Sequence, residues 1–201
     1  MKNTWFTSDL HLGHIRILEL CNRPFADVDE MNEAIIGNWN SVVDHTDVVF
    51  VLGDVALGKI ADSLSLVKRL NGTKYLVPGN HDRCWSGNKK VREIDTQRYF
   101  EVGFYILPEN FISINDWRLC HFPYVGDSHD EDRYKSHRPV AVSEDEWLLH
   151  GHVHEKWKRN GRQINVGVDV WNFTPVHIDE IHDVIGDRLL TSHTTEYLFD
   201  L

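Results

Sequence analysis

The chain lacks any apolar stretch long enough to cross a bilayer. Its longest run, Val48-Val49-Phe50-Val51-Leu52, has five residues, against the ~20 that a membrane helix needs. Cysteine is scarce: Cys21, Cys84 and Cys120 are odd in number and show no CxxC spacing. A disulfide framework is therefore not expected, and a reducing, cytoplasmic setting is. No apolar leader core follows Met1. Positive charge is in deficit, with 21 Lys and Arg against 31 Asp and Glu and a net charge of −10. That balance argues against stable binding of long nucleic acids, which depends on basic residues neutralising phosphates. Internal repeats, low-complexity segments and a clear linker are also missing.

What is present is core-forming material. With 201 residues, 41% hydrophobic, including 7 Trp and 9 Phe, the chain is expected to form one domain over 1–201. The first half alternates short apolar runs with helical patterns, which predicts βαβ units and a largely parallel sheet. Strands are expected at Thr4–Ser8, Val48–Leu52 and Thr73–Val77, with helices carried by Met31, Ile35, Trp39 and Val42 and by Ile60, Leu64, Val67 and Leu70. The second half reads as short strands at 104–107, 111–114, 117–120, 147–150 and 163–168, then a helix near 179–185. The polar stretch 126–138 reads as a surface loop or lid.

Histidine is the abundant residue, 13 in all, and its distribution is organised. Asp9 and His11 leave the first strand two residues apart, so an extended segment would place both on one face. Asp54 follows Gly53 after the second strand; Asn80, His81 and Asp82 follow Gly79 after the third. His121 ends a later strand, and His152 and His154 follow Gly151. Asp127 and His129 repeat the Asp-x-His spacing within the polar loop, where a solvated surface is the expected setting. Imidazoles, carboxylates and an amide oxygen make a mixed N/O donor set suited to Zn, Mn or Fe. Asp9, His11, Asp54, Asn80, His121, His152 and His154 are too many for one tetrahedral ion and suit two that share a bridging ligand.

In order, D-x-H, G-D, G-N-H-D, a lone H and G-H-x-H resemble the motif set of the calcineurin-like metallophosphoesterase superfamily, spanning residues 9–154. The resemblance implies an α/β fold, a four-layer α/β/β/α sandwich of two mixed sheets flanked by helices. It implies two divalent metal ions, with manganese expected and Fe, Zn or Ni also suited. Asp9, His11, Asp54 and His154 would hold one ion, and Asp54, Asn80, His121 and His152 the other. His81 would be the general acid at the leaving-group oxygen, oriented by Asp82, while a metal-activated hydroxide attacks phosphorus.

The substrate expected from this compact chain is a small or cyclic phosphodiester, such as a cyclic nucleotide. His14 and Tyr124 are candidates to contact it. A phosphomonoesterase or protein phosphatase, in which Arg16, Arg23 or Arg133 would grip a dianion, is the alternative, as is a nuclease. A scaffold that keeps the fold without catalysis is a further reading, against which the retention of His81 counts.

Overall fold

The computed structural model describes residues 2–88, 93–107, 112–114, 117–129 and 133–186. Its first half holds β1 (Thr4–Thr7), α1 (Ile17–Leu20), α2 (Val28–Val42), β2 (Val48–Val51), α3 (Ile60–Ser65), β3 (Thr73–Leu76), α4 (Glu93–Glu101) and β4 (Phe104–Ile106). The second half holds β5 (Ile112–Ile114), β6 (Trp117–Leu119), β7 (Trp147–His150), β8 (Arg159–Asn160), β9 (Gln163–Asn165), β10 (Val176–His177) and α5 (Ile178–Ile185).

Two five-stranded mixed sheets result, ordered β10-β1-β2-β3-β4 and β5-β6-β7-β9-β8. Strands β1 to β4 run parallel, with β10 antiparallel at the edge. In the second sheet β6, β7 and β9 are parallel and the outer strands antiparallel. With helices flanking the sheets, this is the α/β/β/α sandwich.

The uninterrupted apolar run of β2 is explained by burial on both faces. Val49 and Val51 pack toward the helices, in a core with Met31, Ile35 and Trp39. Val48, Phe50 and Leu52 point the other way, into the core between the sheets with Leu119, Leu149 and Ile164. A smaller cluster of Trp85, Cys120, Phe122 and Leu148 covers the far face of the second sheet. Full burial of one such side chain contributes about 1.5–3 kcal/mol.

Local signals set the helix limits. Asp27 caps α2 by accepting from the N–H groups of Asp29 and Glu30 at 3.0 and 2.8 Å. Gly186, at φ 90°, ends α5. Asp47 fastens β1 to β2, accepting from Asn3 N (2.9 Å), Trp5 Nε1 (3.0 Å) and Asp44 N (3.1 Å).

Several expectations change. The strand at 104–107 belongs to the first sheet, delivered there by α4, which the sequence pattern did not reveal. The run 163–168 stops being a strand at Asn165, whose side chain turns the chain: it accepts from Gly167 N at 2.8 Å and donates to the carbonyls of His154 (2.7 Å) and Trp157 (2.9 Å). The expected strand residue Phe111 lies outside the described residues.

Candidate metal centre

The candidate ligands lie where β1, β2, β3, β6 and β7 end, the rim at which open α/β sheets build sites. Asp9 and His11 do not leave an extended segment, as their spacing suggested. They adopt left-handed backbone, φ 56° and 50°, as do Asp54 (57°), His152 (71°) and His154 (51°). Each such non-glycine residue costs roughly 1 kcal/mol or more, and strain of this kind concentrates at functional sites. Alternate residues converge here because successive turns, not a pleat, aim them.

Those turns are tied to one another. Asp9 N donates to Gly53 O and His11 N to Asp54 O, both at 3.0 Å, so the first motif runs alongside the second. The second sheet joins through His152 N, which donates to the Asp9 carboxylate at 3.0 and 3.2 Å. Gly151 permits this approach: a Cβ there would strike Ser8 Oγ and Asp9 Oδ2.

Two donor groups form. Asp9, His11 and His154 make one and Asp9, Asp54 and His121 the other, each with ligand atoms within 4.8 Å of one another and all residues buried. Asp9 is thus common to both. Asp54 also reaches across, with Oδ2 3.7 Å from His11 Nε2 and 3.5 Å from His121 Nε2. Asn80 Oδ1 lies 3.1 Å from His121 Nε2, and the His152 ring sits 5.2 Å from that of His121.

These residues fit metal ions. Among the described residues both ring nitrogens of His11 are buried without a satisfied hydrogen bond, a condition native proteins avoid unless another partner fills it. Burial, followed by the neighbouring His154, pushes His11 well below the usual imidazole range, which suits a ligand. His154, which burial would lower, is raised by Asp169 and Cys21, so an ion held there would have to displace its proton. Burial would raise both carboxyls. Asp9 does go up, whereas His121, His81 and the His81 N–H bring Asp54 down.

Groups behind the ligands hold the imidazoles, as metal sites commonly require. His121 Nδ1 lies 2.7 Å from Leu52 O, His154 Nδ1 3.5 Å from Asp169 Oδ2, and His152 Nε2 3.4 Å from Asp127 Oδ2. Asp169 gave no signal in the sequence, and Asp127 only repeated the Asp-x-His spacing of the first motif. Asp127, expected on the surface, is only 5% exposed. Asp169 follows β9 with no spacing signal, yet it forms a two-pronged pair with Arg23 at 2.8 and 2.9 Å. Arg23 also donates to Asp9 O (2.7 Å) and Leu10 O (3.1 Å). It is therefore a brace for the first motif and not an anion-gripping residue.

His81 half-emerges into a cavity of about 350 Å³ whose wall also includes His11, Asp54, Asn80, His152 and His154. Its ring packs edge-on against His11, centroids 5.4 Å apart. Asp82 is not its orienting partner. That carboxylate accepts from Asp54 N (2.8 Å), Val55 N (3.1 Å), Gly79 N (2.8 Å) and Tyr99 Oη (3.3 Å), which fastens the second and third motifs together. Burial, followed by the charge of Asp54, pushes Asp82 up to about 6.

His14 lines the cavity, where burial and the neighbouring His81 push it down to about 4. Tyr124 does not line it. Its hydroxyl donates to Glu146 Oε2 at 2.9 Å, in a network with Arg118, so the phenol is committed elsewhere. From the polar loop, Ser128, His129 and Arg133 do reach the wall, as do Arg16, Leu20, Leu57 and Glu155.

Two sheets meeting at a buried N/O cluster with a carboxylate common to both groups define a metal-dependent hydrolase with capacity for two divalent ions. The chain belongs to the calcineurin-like phosphoesterases, whose family model matches residues 2–194. It is 35% identical over 202 residues to the Gene 66 protein of Mycobacterium phage L5, covering 92% of this chain and 95% of the phage protein. It is 31% identical to the uncharacterized protein MJ1445 of Methanocaldococcus jannaschii, covering 92% of each. The crystal structure of AQ665 from Aquifex aeolicus, a protein of unknown function, superposes with a TM-score of 0.69 at 25% identity over 92% of this chain and 100% of that one. No helix among the described residues is long and apolar enough to cross a membrane.

Proposed function

We propose that the protein hydrolyses small or cyclic phosphodiesters, cyclic nucleotides among them, with manganese as the working ion. The observation that carries this reading is the charge and size of the cavity. At about 350 Å³ it suits a small ligand. Of the three arginines considered for gripping a monoester dianion, Arg23 is spent on Asp169 and the backbone. Arg16 and Arg133 share the wall with Glu155. That balance favours the single negative charge of a diester over a dianion, while Leu20 and Leu57 offer an apolar surface to an esterifying group.

Although both donor groups include Asp9, Asp54, whose Oδ2 faces both His11 and His121, would be the shared ligand: Asp9, His11, Asp54 and His154 would hold one ion, and Asp54, Asn80, His121 and His152 the other. Bound there, the ions would supply Lewis acidity and a water acidic enough to act as nucleophile near neutral pH. His81 projects into the cavity with no hydrogen bond to its ring among the described residues, and it would donate a proton to the departing oxygen. His14, neutral on the same wall, would accept from or donate to the substrate. Asp82 and Arg23 keep the turns that present the ligands in place.

Rates on bis-p-nitrophenyl phosphate and p-nitrophenyl phosphate, with Mn-loaded protein and an EDTA-stripped blank, test the reading. A diester preference that disappears with EDTA is expected. A monoester preference would overturn it.

A further inference from the structure

Asp127 lies between the metal cluster and the substrate-facing wall, and its two carboxylate oxygens have different neighbours. Oδ2 faces His152 Nε2 at 3.4 Å and accepts from Arg133 N at 3.0 Å. Oδ1 accepts from Arg133 Nη2 (3.0 Å) and Nε (3.4 Å), His129 N (3.1 Å) and Ser128 Oγ (3.4 Å). The carboxylate side chain is 2% exposed and that of Arg133 is 37% exposed. Arg133 spends Nε and Nη2 on Asp127 and Ser128, and Nη1 has no partner among the described residues. Arg133, Ser128 and His129 all line the cavity.

We propose that Asp127 is a positioning residue that serves both halves of the site: it sets the His152 ring for metal binding and holds the Arg133 guanidinium against the cavity as an anion-contacting group. The first half follows from imidazole chemistry. Among the described residues His152 Nε2 has no other partner, and a carboxylate facing it selects the tautomer with hydrogen on Nε2, which leaves the Nδ1 lone pair for an ion. The second half follows from guanidinium geometry. A planar fork clamped along one edge keeps its remaining donors pointed in a fixed direction, which suits phosphoryl oxygens. Side chains from one segment therefore govern metal affinity and anion affinity together. The inference rests on the reading of the cavity as the phosphate-ester site.

Calorimetric titration of the full chain separates the two roles without requiring turnover. Asp127→Asn is expected to weaken one of two Mn binding events by roughly 10–100-fold. It should also weaken inorganic phosphate binding to the Mn-saturated protein. Arg133→Gln should leave both Mn events unchanged and weaken phosphate binding by about 10–100-fold, the loss of a charged hydrogen bond, with partial recovery in Arg133→Lys. Wild-type Mn affinities in Asp127→Asn, or wild-type phosphate affinity in Arg133→Gln, would overturn the proposal. Nitrogen-15 NMR of histidine-labelled, Zn-loaded wild type reads the tautomer even where the Asp127 variant does not fold. Hydrogen on Nε2 of His152 is expected, and hydrogen on Nδ1 would refute the first half. A wild type that turns over neither ester would defeat the diester reading while these binding measurements still judge Asp127.

Discussion

Asp82 and Asp127 are both nearly dry carboxylates that accept several hydrogen bonds beside candidate metal ligands, yet they hold different kinds of object. Asp82 gathers backbone N–H groups from two separate ligand turns, at Asp54, Val55 and Gly79. Asp127 gathers groups of its own segment and one distant imidazole. Their ionisation diverges accordingly. Burial raises both, but the anion Asp54 adds to the effect at Asp82, while the His129 N–H, Arg133 and His152 outweigh it at Asp127 and hold that carboxyl well below the ordinary range. The floor of the site is thus fixed by a carboxylate that joins two distant turns, and the facing wall by one that gathers its own segment against a distant imidazole. A floor contact should matter for the fold; a wall contact should matter for binding.

The largest expected effect tests whether a cavity-facing neighbour of the floor can be removed without disturbing it. His81→Ala should lower turnover by roughly 10²–10⁴-fold while metal analysis still finds two ions per chain; loss of an ion would make His81 a ligand. Asp82→Asn attacks the floor itself. One acceptor oxygen becomes an NH₂ group facing N–H donors, so unfolding of the metal-free protein should cost about 3 kcal/mol less in denaturant titrations. Wild-type stability in that variant would erase the distinction from Asp127.

Asp47, remote from both regions, calibrates the cost of a buried carboxylate with no metal nearby. Burial would raise it, but the N–H groups of Asn3, Asp44 and Trp5 prevail and its carboxyl is lowered. Its contribution is therefore present above the unfolded value near pH ~4 and is lost as pH falls through the lower folded value. Asp47→Asn should cost about 2 kcal/mol at neutral pH and flatten acid unfolding below pH ~4, which stability curves from pH 2 to 7 would measure.

The order of the motifs, the alternation of strands and helices and the apolar faces of α2 and β2 were legible because each depends on neighbours close in the chain. Pattern reading missed α1, α4 and the short strands β8 and β10. Two residues, or the single turn of α1, carry too little periodicity, and β10 becomes a strand only because β1 offers it an edge. The roles of Asp82, Asp127 and Asp169 were hidden for a related reason. An aspartate after a strand has the same local signature whether it binds metal, braces a turn or orients an imidazole.

Residue order alone establishes which donor atoms the protein owns and at which strand ends they emerge. How those atoms are used depends on the folded chain. The left-handed turns aim Asp9, His11, Asp54, His152 and His154 inward, and the absence of a Cβ at Gly151 lets the second sheet's turn reach the first. Contacts between residues far apart in the chain then sort the aspartates into candidate ligands, brace and orienters. That assignment depends on distance and burial, which residue order does not encode locally.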